Sequence, residues 1–120
     1  NELKFSAFIS DAVVIGDKRK FLSCLIMIDE ENVIKFAQDN DVPFSNFESL
    51  CKAKQTIDLI ESEVSRVNHK FANVEQVKKF SLIDIQLSAE DDELTPTMKL
   101  KRKFINDKYS NIIEMMYSPK

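Results

Sequence analysis

The 120 residues suffice for one small domain with a single core, and not for that core plus a sizeable substrate cavity. A net charge of −3 gives no overall field for nucleic acid or anionic lipid, so only local basic clusters remain as anion sites. One glycine rules out a glycine-rich phosphate loop, one histidine leaves no His pair for a metal, and two cysteines are too few for a disulfide framework.

In chain order, Asn1-Glu2-Leu3-Lys4 reads as the tail of a helix whose beginning lies upstream. The chain starts on asparagine rather than methionine, so we expect it to be part of a longer protein. Residues 11–15 (Asp-Ala-Val-Val-Ile) form a strand by their β-branched content. Gly16-Asp17 signals a turn, and residues 21–28 (Phe-Leu-Ser-Cys-Leu-Ile-Met-Ile) form a second strand, apolar enough to be covered on both faces. The short polar stretch between them predicts an antiparallel hairpin. Asp29 is the N-cap of a helix over residues 30–39, with Glu30 and Glu31 in its first turn and Val33, Phe36 and Ala37 on its apolar face.

Ser45-Asn46-Phe47-Glu48 matches a capping box and opens a second helical region. In it Ile57, Ile60, Val64, Val67 and Phe71 recur at helical spacing opposite Asp58, Glu61, Glu63, Arg66 and Lys70, which predicts a long amphipathic helix lying across the sheet. Residues 79–85 (Lys-Phe-Ser-Leu-Ile-Asp-Ile) read as a third strand. Phe104, Ile105, Ile112, Ile113 and Met116 predict one closing helix or two short ones. The sum is an α+β domain over residues 1–120: an N-terminal antiparallel β-hairpin, a further small sheet and three or so packed helices.

Between the third strand and the closing helix, the acids Glu90, Asp91, Asp92 and Glu93 run into Thr95-Pro96. Lys99, Lys101, Arg102 and Lys103 follow at once. Proline fixes one backbone angle and disfavours helix before it, so this is an ordered loop that can hold out a point charge. The acids read as solvated, and their spacing is not that of a calcium loop; no metal site is expected. Nucleophilic catalysis would have to use His69, with Cys51 the nearest thiol before it, and nothing else completes such a set. The rival reading is a stand-alone anion- or nucleic-acid-binding module using this basic strip and a second one, Lys18, Arg19 and Lys20. No aromatic residues alternate with either strip as stacking platforms. Cys24 and Cys51 read as reduced thiols, no signal-peptide pattern opens the chain, and the longest apolar run is too short to cross a bilayer. A cytoplasmic setting is expected.

Leu94-Thr95-Pro96-Thr97-Met98-Lys99-Leu100-Lys101-Arg102 resembles the last core motif of AMP-forming acyl-CoA synthetases, in the wording of the long-chain fatty acid branch. Most of the wider adenylate-forming superfamily has glycine where this chain has Met98, a departure which that branch shares. Residues 9–17 and 21–26 resemble the opening hairpin of the same C-terminal domain. Residues 64–68 and 74–80 resemble its helix and following strand. The resemblance implies an enzyme that joins ATP and a fatty acid into an acyl-adenylate and then passes the acyl group to coenzyme A. It implies that ATP, magnesium and the acyl chain are bound mainly by an N-terminal domain, that the hinge lies upstream of Asn1, and that this domain is inert alone. It further implies that Lys99 is the catalytic lysine of adenylation, supported by Thr95, Pro96 and Thr97, and that a second face near the hairpin meets coenzyme A. Asn68 stands where relatives carry a basic contact; His69, Lys70, Lys18 and Arg19 are the other candidates. Nucleic acid is not an expected partner, and any membrane contact of the parent would be peripheral.

Overall fold

The computed structural model describes residues 2–88 and 90–118. Its centre is a mixed three-stranded sheet in the order β1-β2-β3, built from β1 (Ile9–Ile15), β2 (Leu22–Ile28) and β3 (Val77–Leu82). β1 and β2 form the expected antiparallel hairpin, with Val13 opposite Leu25 and Ile15 opposite Ser23. β3 runs parallel to β2 on its other edge, so the third strand extends the hairpin's own sheet and no second sheet occurs among the described residues. A parallel neighbour needs a long crossover, and the intervening helices supply it.

Those helices are α1 (Glu30–Asp39), α2 (Phe47–Lys52) and α3 (Lys54–Asn68); α4 (Arg102–Lys108) and α5 (Ser110–Tyr117) close the chain. α1 begins as expected, with Asp29 Oδ1 accepting the Asn32 N–H at 3.0 Å. The next capping box sits one residue later than Ser45-Glu48. Asn46 is the cap, and Ser49 returns the bond: each side chain accepts the other's backbone N–H. Ala53, extended at ψ 135°, splits the second helical region into α2 and α3. The first four residues also differ from expectation: Glu2–Phe5 form a single 3-10 turn, while Asn1 lies outside the described residues.

β2 is central and buried almost throughout, and its alternating side chains feed two cores. Cys24, Ile26 and Ile28 pack with Val33, Ala37, Leu50, Ile60, Val64 and Val67, so α1–α3 cover one face. Leu25 packs on the other with Val13, Ile15, Ile105, Tyr109, Ile113 and Met116, so α4 and α5 cover that face. Ile57 and Phe71, expected on the buried stripe of the long helix, are partly exposed; Thr56 takes the buried place one position earlier. The two thiols are free and buried, and burial pushes both Cys24 and Cys51 up to about 12.

β1 contains a bulge between Ile9 and Asp11. Strict alternation would put Ile9 and Ala12 on opposite faces, yet both enter the first core. The extra residue re-aims the rest of the strand, so that Asp11, Val13 and Ile15 share the face that α4 and α5 cover.

Candidate functional site: a lysine on a braced hairpin

Residues 93–101 fold back on themselves. The Lys101 N–H donates to Glu93 O at 2.9 Å, the Thr95 N–H to Lys99 O at 2.7 Å, and Leu94 faces Leu100 across an antiparallel bridge. The tip is the three-residue connection Pro96-Thr97-Met98, closed by the Met98 N–H donating to Thr95 O at 2.9 Å. Proline suits the second position of such a turn, and the residue that ends it must be left-handed. Met98 takes that conformation at φ 67°. Thr95 adds a side-chain bond, its Oγ1 accepting the Lys99 N–H at 3.1 Å and lying 3.1 Å from Thr97 Oγ1. Thr95, Pro96 and Thr97 therefore determine how Lys99 leaves the turn.

Lys99 is exposed, and its ammonium makes no hydrogen bond or ion pair among the described residues. The hairpin beneath it is held from below. Glu93, expected to be solvated, is only 3% exposed. Its Oε2 accepts from Lys108 Nζ at 2.6 Å and from the Tyr109 hydroxyl at 3.0 Å. Burial works against the charged carboxyl, but the bonds from Lys108 and Tyr109 outweigh it and hold Glu93 below the usual carboxylate range. Burial and the same carboxylate push the Tyr109 phenol up. On the other leg, the Leu100 N–H donates to Asp11 Oδ2 at 2.7 Å. Arg102 Nη1 donates to Val14 O at 2.7 Å, so one of the four cations is committed to the fold.

The coenzyme A candidates lie at the other end of the sheet. Lys18, at φ 60°, and Arg19 occupy the β1–β2 turn. Asn68 ends α3, and His69 and Lys70 follow it, beside the start of β3, where Val77 pairs with Leu22 just after that turn. Five residue steps along β1 lead from Asp11 to Gly16, roughly 17 Å of strand. Asn68 is occupied with the fold: its side chain donates to Val77 O at 2.8 Å and accepts the Val77 N–H at 2.9 Å. Arg19 donates to both carboxylate oxygens of Glu114, at 3.3 and 2.5 Å. Lys70 pairs with Glu2 at 3.4 Å, while Lys18 and His69 are exposed. An open cavity of about 280 Å³ lies between the turn and α5, bordered by Arg19, Arg102, Asn106 and Glu114.

Sequence alone does not single out Asp11 or Glu93 as partners of this hairpin. The groups they bind are 89 and 15 positions away, and no local spacing reveals such pairs.

Fold and site together define a small α+β domain that presents, on a fixed hairpin at one end of its sheet, a cation without a partner among the described residues. Residues 1–120 match the AMP-binding enzyme C-terminal domain, and the chain belongs to that family. It is 32% identical over 119 residues to the long-chain-fatty-acid–CoA ligase FadD15 of Mycobacterium tuberculosis, covering 98% of this chain and 20% of the relative. The human long-chain-fatty-acid–CoA ligase ACSBG1 is 30% identical over 126 residues, covering 91% and 17%. The chain thus spans about a fifth of the length of these relatives. The fold is shared with the adenylation domain of a carboxylate reductase from Mycobacterium chelonae, at a TM-score of 0.67 and 18% identity over 97% of this chain and 16% of that one. No helix among the described residues is long and apolar enough to cross a membrane.

Proposed function

We propose that the chain is the mobile C-terminal domain of a long-chain fatty acid:CoA ligase and that Lys99 is its adenylation lysine. The observation that carries this reading is an exposed ammonium, without a partner among the described residues, at the tip of a hairpin whose legs are bonded to the core. The N-terminal body binds ATP, magnesium and the fatty acid. A carboxylate oxygen attacks the α-phosphorus of ATP and the bond to pyrophosphate breaks. Lys99 reaches the reacting carboxylate and phosphate oxygens, where negative charge accumulates. Lysine suits the task because its charge is compact and its stem is long enough to enter a cleft from outside.

The domain then turns as a body. The acyl carbon is attacked by the coenzyme A sulfur, the thiol proton passes to solvent or a base, and AMP leaves with the electrons of the acyl–oxygen bond. The opposite end of the sheet faces coenzyme A in this orientation, with Lys18, His69 and Lys70 the exposed cationic or polar groups there. Arg19, Asn68 and Lys70 contribute only if they give up their present bonds. Closure of the domain also excludes water from an anhydride that would hydrolyse. Two buried thiols fit a reducing, cytoplasmic setting.

The test uses the intact enzyme. Lys99→Ala should lower acyl-adenylate formation by about 10²–10³ while sparing acyl transfer to coenzyme A from a supplied acyl-adenylate. Equal slowing of the two half-reactions would overturn the assignment.

A further inference from the structure

We propose that Asp11 is the positioning residue for Lys99: its carboxylate holds the return leg of the hairpin and thereby sets where the ammonium is delivered. The proposal rests on reading Lys99 as the adenylation lysine.

The argument begins with the bulge in β1. The extra residue before Asp11 turns its side chain onto the sheet face covered by α4, α5 and the hairpin. There Asp11 is 5% exposed, a charged group in a place where it must be bonded to persist. Its bonds are specific. Oδ1 accepts the Ala12 N–H at 2.8 Å and lies 3.5 Å from the Lys4 ammonium, while Oδ2 accepts the Leu100 N–H at 2.7 Å.

The hairpin has a matching vacancy in its own ladder. Thr95 bonds Lys99 and Glu93 bonds Lys101, so Leu94 and Leu100 form the non-bonded pair between them. The Leu100 N–H therefore points away from the opposite leg and has no partner within the hairpin. Asp11 supplies one, with a charged acceptor, which makes a shorter and stronger bond than a neutral one. The anchored amide belongs to the residue next to Lys99, one Cα step of about 3.8 Å away. Pro96 and Thr95 shape the turn, but only contacts outside the hairpin can orient it on the domain. Asp11 and Arg102 tie the return leg to β1, and Glu93 ties the outgoing leg to α4 and the residue after it. Asp11 is the tie nearest to Lys99.

Asp11→Asn in the intact enzyme keeps the size but turns one acceptor into an NH₂ group. That group cannot serve both backbone donors. Adenylate formation should fall at least tenfold, since misplacement by about 1 Å can cost 10² in rate. Acyl transfer from a supplied acyl-adenylate should stay near the wild-type rate. In hydrogen exchange the Leu100 amide should speed up by about tenfold, with the Leu25 and Ile26 amides of β2 unchanged. Lys4→Met, which removes the ion pair and no backbone bond, should leave adenylation intact; a loss equal to that of Asp11→Asn would overturn the proposal. So would an Asp11→Asn enzyme that fails to fold, or whose half-reactions fall together while β2 amides open: Asp11 would then be a core residue only. Lys99→Ala run in parallel separates the two readings. If it abolishes adenylation while Asp11→Asn with a freed Leu100 amide does not, positioning by Asp11 is wrong and the role of Lys99 stands. If Lys99→Ala slows both half-reactions equally, the role of Lys99 fails, and that of Asp11 with it.

Discussion

The domain has two tight turns that carry cations, and it uses Arg19 of the first and Lys99 of the second in opposite ways. In the β1–β2 turn, Lys18 takes the left-handed conformation at φ 60°, and in the second hairpin Met98 does so at φ 67°. Beyond that the likeness ends. Arg19 of the first turn is bonded to Glu114 and lies 4.7 Å from the Tyr117 ring, which stacks on Phe21 at 4.6 Å. There the cation fastens the turn to α5. In the second hairpin, carboxylates fasten the backbone from below, and Lys99 at the edge of the tip is left without a partner among the described residues. A count of basic residues, three at 18–20 and four over 99–103, does not tell Arg19 from Lys99. What separates Arg19 from Lys99 is whether the fold has already used the charge; Lys18, beside Arg19, is exposed as Lys99 is.

The sharpest way to break this contrast is to remove one cation from each turn of the intact enzyme. Lys99→Ala should lower adenylation by about 10²–10³ with little change in thermal stability. Arg19→Ala should do the reverse, lowering the melting temperature of the domain and leaving adenylation near wild type. A stability loss from Lys99→Ala, or an adenylation loss from Arg19→Ala, would show that the turns have been assigned the wrong way round.

Next in size is the brace under the outgoing leg. Glu93→Gln replaces a buried carboxylate that accepts two bonds, and should cost about 2–3 kcal/mol near pH 7. Lys108 is 46% exposed on its side chain, so solvent screening keeps the loss from being larger. The pH dependence supplies the sign. The folded carboxyl of Glu93 lies below its ordinary value, so its contribution is complete above the unfolded-chain value of about 4.3 and disappears as pH falls through the folded one. Wild type should therefore lose its advantage over Glu93→Gln in acid, measured as denaturant midpoints from pH 7 down to pH 3. A gap that persists at the acid end would mean that the charge is not what braces the leg.

Tyr117→Phe probes the first turn at smaller scale. The hydroxyl accepts from Ser23 Oγ at 3.0 Å and lies 2.7 Å from Phe21 O and 3.1 Å from Ile15 O. The stacked ring survives the change, but the Ser23 hydroxyl is left buried without that partner. The expected cost is about 1–2 kcal/mol in domain stability, with adenylation unaffected. An adenylation defect larger than the stability loss explains would couple the two turns, against their separate roles.

How much of this can be read along the chain depends on the range of the interactions. α1 with its Asp29 cap, the antiparallel hairpin and the exposed turn at Pro96 all depend on neighbours within a few residues, and the sequence displays them. The partner of β3 does not, because a parallel pairing is decided by how the crossover helices pack. Its end differs too: Ile83 leaves the strand yet is buried, donating its N–H to Ile26 O at 2.8 Å, while Ile85 lies outside it and is 48% exposed. The capping box sits one residue later because Asn46 and Ser49 satisfy the same spacing with side chains that reach each other's amides. Glu93 misleads most. In a run of four acids it looks solvated, and only the return of α4 brings Lys108 over it. Lys99 is legible as a presented charge; the carboxylates that hold its platform are not.

The smallest effect concerns Met98, where local backbone cost and sequence disagree. A left-handed φ crowds the Cβ of any residue but glycine, and a single such position costs on the order of 1 kcal/mol. Glycine also loses more conformational freedom on folding, which offsets part of the relief. Met98→Gly should therefore stabilise the closed hairpin by only about 0.5–1 kcal/mol, read as roughly two- to fivefold slower exchange of the Met98 and Lys99 amides in the intact enzyme. Met98 is 44% exposed and borders a small cavity with Ile85, Leu87 and Phe47, so its side chain forms part of the apolar surface next to Lys99. If the variant slows amide exchange as expected yet weakens adenylation, that surface contributes contacts to the neighbouring body, and the methionine is kept for them in spite of the backbone cost. If exchange is unchanged or faster, the turn is held by its proline and threonines alone. The contrast between the two turns would then rest on their side chains and not on their shared backbone geometry.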